Sequence, residues 1–201
     1  MKTALSPLTS EIIAQQSQAA TATLLSLPEY ASSNSLSIYL SMPAGELQTT
    51  QLLTAALGAG KSVYVPFLHR REYPDPVTGK KRVMQMLKLR SVEEFEELER
   101  DSWGIPSLPA ERLGERLNAM GGEGPEGDGR GESDNGEGLD MVVVPGMAFD
   151  EEMRRLGHGA GFYDGWIRRY CEKKERKPTL GMYRMCCQKT SFVRTDAFPP
   201  R

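Results

Sequence analysis

The sequence predicts an α/β fold, a single domain over residues 1–201 with a mostly parallel sheet flanked by helices. Three observations lead there. The run LDMVVVPGMAFD, residues 139–150, holds four consecutive apolar residues, the pattern of a strand buried on both faces. The runs SLSIYLSM (35–42) and KSVYVPF (61–67) read as strands on either side of a helix-patterned segment, which makes a βαβ unit with parallel pairing. A length of 201 residues is enough for one domain of ordinary size with its own core.

The elements follow from short-range signals. Residues 7–27 read as a helix, with Ser6 as cap, Pro7 at the first helical position, and Ile13, Ala20, Leu24 and Leu27 on one stripe. Pro28 ends it. Thr49 or Thr50 caps the next helix, which runs through Leu52, Leu53, Ala56 and Leu57 and closes at Gly58 and Gly60. The polar stretch from His69 to Arg82, with Pro74, Pro76 and Gly79, is expected to be a loop or hairpin tip, His69 included. VMQMLKL (83–89) alternates, as a strand with one wet face does. Ser91 caps a short acidic helix, VEEFEELER, with Phe95 and Leu98 inward. Residues 110–138 are expected to be a disordered glycine-rich and acidic insertion, because no large apolar residue lies between Gly121 and Gly138. A helix from Phe162 to about Glu175 turns Phe162, Tyr163, Trp166, Ile167 and Tyr170 inward and leaves Arg168, Arg169, Lys173 and Lys174 to solvent. TLGMYR (179–184) adds a strand. A Rossmann-like sheet of this kind binds ligands outside the carboxyl ends of its strands, so Met42–Glu46, Pro66–His69 and Gly146–Asp164 are expected to converge.

Composition narrows the function. A net charge of -2 offers no broad attraction to nucleic acid or to an anionic membrane. No apolar stretch approaches the roughly 20 residues that span a bilayer. The first residues carry one base with no apolar block behind it, unlike a signal peptide. Cys171, Cys186 and Cys187 show neither metal-type nor redox spacing, and an odd, sparse set fits a reducing cytoplasm.

The chemistry concentrates in Arg155-Leu156-Gly157-His158-Gly159-Ala160-Gly161-Phe162-Tyr163-Asp164. Glycine lets backbone approach a ligand closely. A helix start favours phosphate. Two aromatic rings offer flat surfaces, and an aspartate is a hard oxygen ligand suited to magnesium on a nucleotide. Taken alone, the run also reads as a tight turn and its aromatics as core. It is neither a Walker A loop nor the dinucleotide fingerprint.

Five pieces occur together in one order: SIYLSMPAGELQT (37–49), GKSVYVPF (60–67), SWGIPSL (102–108), LDMVVVPGMAFD (139–150) and RLGHGAGFYDGW (155–166). Across roughly residues 20–182 the chain thereby resembles the 5-formyltetrahydrofolate cyclo-ligases, or methenyltetrahydrofolate synthetases. The resemblance implies that ATP and magnesium drive conversion of 5-formyltetrahydrofolate to 5,10-methenyltetrahydrofolate, with release of ADP and phosphate. It implies a reduced folate and ATP as partners; together with the charge, hydropathy and cysteine readings above, the chain is expected to be a cytoplasmic monomer with no nucleic acid or membrane partner. By resemblance, Leu40, Glu46 and Trp103 lie in the folate pocket, where His158, Gly159, Gly161 and Phe162 also meet the substrate. Arg155, Gly157, His158, Gly159, Ala160, Gly161, Phe162 and Tyr163 would line ATP, with Arg155, His158 and Tyr163 catalytic and Asp164 on magnesium.

The chain also departs from the family pattern. Ala160 stands where many members carry lysine, and His158 where others often carry arginine. Lys2 is the only base before Lys61, where members have a basic amino-terminal helix. Residues 185–201 form an atypical tail, in which Asp196 falls near the place of a metal-binding aspartate without matching surroundings. Two further readings follow: a catalytically impaired relative or truncated isoform that binds folate or nucleotide without turnover, and an unrelated Rossmann-like isomerase or transferase that shares only the phosphate loop.

Overall fold

The computed structural model describes residues 9–127, 138–146, 148–149, 155–157, 159–174 and 178–182. Ser6, Pro7, His158, Cys186, Cys187, Asp196 and the 185–201 tail lie outside the described residues. Helices α1 (Ser10–Leu25) and α2 (Pro28–Ser32) lead into strand β1 (Ser35–Ile38). Then come α3 (Thr50–Gly58), β2 (Ser62–Arg70), β3 (Arg82–Leu89), α4 (Val92–Glu96) and a 3-10 turn at Ala110–Glu115. The chain continues through β4 (Met141–Val144), β5 (Ala148–Phe149), β6 (Arg155–Leu156), α5 (Phe162–Lys174) and β7 (Thr179–Met182). Among the described residues no helix is long and apolar enough to cross a membrane.

The main sheet has the order β3-β2-β1-β4-β7. β1 pairs in parallel with β2 and β4, and β4 with β7, while β3 runs antiparallel at the edge. The expected βαβ unit is therefore present as β1–α3–β2, within a mostly parallel sheet. Side chains alternate between two cores, as the strand period of two requires. Leu36, Ile38, Val63, Val65, Met141 and Val143 face α1, α2 and α3. Tyr64, Met84, Met86, Val142 and Val144 face Trp166, Ile167 and Tyr170 of α5. The MVVV run thus feeds both layers, and each of its four residues is buried.

Several boundaries move for physical reasons. α1 begins at Ser10, where the Thr9 hydroxyl caps the Ile12 N–H at 3.3 Å. Thr49 precedes α3 but does not cap it with its side chain. Its hydroxyl instead donates to the Tyr39 carbonyl at 2.7 Å, so β1 stops at Ile38, short of the expected residue 42. β2 outlasts β1: its pairing with β1 reaches Tyr64, while its pairing with β3 continues to Arg70 opposite Arg82. β2 and β3 thus form a two-stranded arm beyond the end of β1, with its tip at residues 71–81. His69 lies in this arm, not in a loop, with Nδ1 3.3 Å from a Glu126 carboxylate oxygen.

Three expectations are corrected. β3 has no wet face over Val83–Leu87, which are all buried. Arg169 is buried rather than solvated, because Asp75 from the arm's tip meets it at 2.9 Å. The segment expected to be disordered is folded as far as residue 127, the end of that described stretch. Its Leu117 carbonyl accepts from the Lys88 N–H and its Ala119 N–H donates to Met86, so it pairs along the outer side of β3. Ala119 and Met120 enter the second core. Buried Arg116 holds both carboxylate oxygens of Glu94, at 2.7 and 3.1 Å. The glycines that suggested disorder at 121, 122 and 124 supply the positive φ of the turn.

Candidate active site

A cavity of about 820 Å³ lies where the parallel strands end. Its walls come from the loop after β1, the β2–β3 arm, the 101–108 segment, Pro145 and Gly146 after β4, and the glycine run with the first turn of α5. Leu40, Glu46, Trp103, Arg155, Gly157, Gly159, Ala160, Gly161, Phe162, Tyr163 and Asp164 all line it. These are the residues singled out in the sequence, apart from His158.

The loop after β1 is braced from within. The Tyr39 hydroxyl donates to the Leu47 carbonyl at 2.8 Å. The Gln48 amide donates to the Met42 and Glu46 carbonyls at 2.9 and 3.0 Å. The Gln48 N–H donates to the Ser17 hydroxyl of α1 at 2.8 Å. Glu46 accepts the Met42 N–H at 3.1 Å, which fixes its carboxylate at the cavity wall. Leu40 is buried beside it. The SWGIPSL segment packs on this loop through Gly104, at φ +76°, where a Cβ would stand 2.6 Å from the Pro43 ring. Asp101 organises the same segment by accepting the Trp103 and Ile105 N–H groups at 2.8 and 3.0 Å. Trp103 keeps 73% of its surface exposed, at the mouth of the cavity rather than in the core.

The opposite wall is built with charge. β5 and β6 form a short ribbon that sets Arg155 opposite Phe149. The Arg155 guanidinium donates to the Pro145 carbonyl at 3.1 Å and to Asp164 at 2.6 Å, and lies 5.6 Å from the Tyr163 ring centre. Gly157 allows this fold-over, since a Cβ there would meet the guanidinium at 3.0 Å. Gly159 and Gly161 hold φ of +82° and +67°. Burial pushes the Tyr163 phenol well above its usual pKa, and the nearby Glu46 charge adds to this against the pull of Arg155. The phenol therefore stays protonated near neutral pH, able to donate a hydrogen bond.

Among the described residues no three His, Cys, Asp or Glu side chains form a cluster able to hold a metal. Asp164, exposed and at the cavity wall, fits magnesium, which keeps its waters and binds one or two carboxylates together with substrate phosphates. Two basic residues of the arm escaped the sequence reading. Arg82 lines the cavity, and the Lys80 ammonium donates to the Ala160 carbonyl at 2.7 Å. Basic residues in a polar hairpin carry no sequence signal that separates them from a solvated turn.

Fold and site define an α/β ligand-binding protein in which a glycine-rich loop and a braced apolar pocket share one cavity. The model of the 5-formyltetrahydrofolate cyclo-ligase family matches residues 1–189, and the chain belongs to that family of enzymes. It is 30% identical over 170 residues to the probable 5-formyltetrahydrofolate cyclo-ligase of Schizosaccharomyces pombe, covering 85% of this chain and 69% of that one. To the 5-formyltetrahydrofolate cyclo-ligase of Mus musculus it is 30% identical over 178 residues, 89% of this chain and 75% of the relative. The solution structure of Aquifex aeolicus 5,10-methenyltetrahydrofolate synthetase shares the fold, with a TM-score of 0.53 at 22% identity, over 94% of this chain and 79% of that one.

Proposed function

We propose that the chain converts 5-formyltetrahydrofolate to 5,10-methenyltetrahydrofolate, consuming ATP and releasing ADP and phosphate, with magnesium required. The observation that carries this is the meeting, in one cavity, of the braced Leu40–Glu46 wall and the glycine run with Arg155. The formyl oxygen attacks the γ-phosphorus and ADP leaves. The neighbouring amine of the folate then attacks the activated carbon and loses its proton, and phosphate departs with the former formyl oxygen. Phosphoryl transfer of this kind relies mainly on positioning and charge stabilisation.

This chain's residues fit those tasks. Arg155 faces developing charge on the γ-phosphoryl oxygens. Gly157, Gly159, Ala160 and Gly161 bring backbone close to the phosphates, and His158 joins them by its place in the run. The protonated Tyr163 donates a hydrogen bond to an oxygen of the reacting groups, and Phe162 packs beside them. Glu46 accepts from the pterin edge, with Leu40 and Trp103 against its faces. Asp164 would hold magnesium, which supplies charge neutralisation on the phosphates. We place the chain in the cytoplasm on its sparse cysteines, acting as a monomer; one relative, from Arabidopsis thaliana, is named mitochondrial.

Purified protein with 5-formyltetrahydrofolate, ATP and magnesium, followed by the absorbance of the methenyl product against an ATP-free control, tests the reading. ATP-dependent product supports it. Folded protein that binds folate or nucleotide without product supports the impaired relative instead.

A further inference from the structure

Of the ten residues from Arg155 to Asp164, Arg155 alone carries a fixed positive charge, and Asp164 engages it at 2.6 Å. A triphosphate needs more cation than that. The Lys80 ammonium comes to the same run from the arm, 80 residues away in sequence, and rests 2.7 Å from the Ala160 carbonyl. It also lies 3.8 Å from where a Cβ on Gly161 would sit. A carbonyl is a weaker acceptor for an ammonium than a phosphoryl oxygen.

The placement of Lys80 is over-determined. Asp75, 1% exposed, accepts from Arg169 at 2.9 Å and from Arg71 at 3.3 Å. Its other oxygen takes the Val77 and Thr78 N–H groups and the Thr78 hydroxyl, at 3.2, 2.8 and 2.9 Å. The Asp75 N–H donates to the Lys80 carbonyl at 2.9 Å and closes the turn. Arg169 also donates to the Met84 carbonyl at 2.6 Å, tying α5 to β3. The tip seats on the first turn of α5 because residue 165 is glycine: a Cβ there would stand 2.8 Å from the Thr78 methyl.

We propose that Lys80 is a phosphate-binding residue of the nucleotide site, held at the glycine run by the Asp75–Arg169 latch and the Thr78–Gly165 contact. This rests on the nucleotide reading above. The test uses the full chain and its Lys80→Ala, Lys80→Arg and Gly165→Ala variants. The KM values for ATP and 5-formyltetrahydrofolate are measured from product absorbance, and the Kd values for ATP and inorganic tripolyphosphate by calorimetry. Lys80→Ala is expected to raise the ATP KM and both Kd values about tenfold, the loss of one charge-assisted hydrogen bond. The folate KM and the melting temperature stay put, and Lys80→Arg restores most of the affinity. Gly165→Ala raises the ATP KM selectively, which a purely structural loss does not do. An ATP KM or Kd unchanged in Lys80→Ala overturns the proposal while product from the parent chain leaves the enzyme reading standing. If the parent binds ATP without turnover, the Kd comparison decides alone. If it binds neither ATP nor tripolyphosphate, the nucleotide reading and this proposal fall together.

Discussion

On one side of the cavity, residues 39–49 are held largely by neutral hydrogen bonds within a short stretch of chain and to Ser17, joined by the Glu46 carboxylate on the Met42 N–H. On the other side the glycine run lines the cavity, and the arm's tip that meets this run at Ala160 is held by charge, through a buried Arg169–Asp75 pair between residues 94 apart in sequence. The difference follows the ligand that each wall is proposed to meet. A flat heteroaromatic edge requires donors and acceptors at fixed positions, which a braced loop carrying the single carboxylate Glu46 provides. A polyanion requires cations, and basic side chains can be brought near one another only when acids such as Asp75 and Asp164 balance them.

The comparison is broken most strongly at the latch. Arg169→Met leaves Asp75 buried without its main partner and should cost about 3–5 kcal/mol in chemical denaturation. Combined with Asp75→Asn, the losses should be far from additive, because both changes remove one interaction. Acid gives a second view of the latch. Burial works against ionising Asp75, but the hydrogen bonds and charge of Arg169, together with Thr78, outweigh it and hold its carboxyl below the usual range. Glu94 is lowered in the same way, burial being outweighed by Arg116 and Arg90 together. For a depressed carboxylate the stabilisation is complete above the unfolded pKa of about 4 and is lost as pH falls through the lower folded value. His69 adds to this. Burial, opposed by Glu126, keeps its imidazole below the usual value, so the folded state favours the neutral ring and loses stability on acidification from about 6.5. Thermal melts between pH 7 and pH 3 should fall steeply for the parent chain and less steeply for Arg169→Met.

The next effect is on rate. Arg155→Gln should lower kcat/KM for ATP by about 10²-fold or more, in line with loss of a charge-stabilising donor, while the melting temperature changes little. A smaller change belongs to the braced wall. Thr49→Val removes the hydroxyl that donates to Tyr39 and should cost about 1–2 kcal/mol, raising the folate KM and sparing the ATP KM. The smallest is Asp164→Asn. Its pair with Arg155 is mostly exposed on the acid's side, so stability should move by less than about 1 kcal/mol. The magnesium concentration needed for half-maximal rate should rise. A large stability loss from Asp164→Asn, or none from Arg169→Met, would erase the contrast between the walls.

Most of the cavity's lining was legible because it sits in contiguous runs. Leu40 and Glu46 follow one strand, Arg155 to Asp164 follow another, and a parallel sheet brings both exits to one end. Lys80 and Arg82 were not legible. Their sequence, PVTGKKR, is that of any polar turn, and their placement at the cavity and the glycine run depends on the arm outlasting β1. Arg169 looked solvated for a similar reason: helix periodicity ranks faces by polarity and cannot see a buried aspartate arriving from another element. Residues 110–127 misled through their glycines, since composition counts glycine as freedom while a turn at positive φ uses it as structure.

By itself the sequence determined the parallel strands, the helix between the first two, the inward stripe of α5 and the family to which the chain belongs. These rest on local period, on contiguous motifs and on backbone demands that only certain residues meet. The tertiary structure alone decided which charges are buried, which segment covers β3, and which lysine reaches the glycine run. Those outcomes depend on pairs far apart in the chain, and a partner's electrostatic and steric effect exists only once the fold has brought it within a few ångströms.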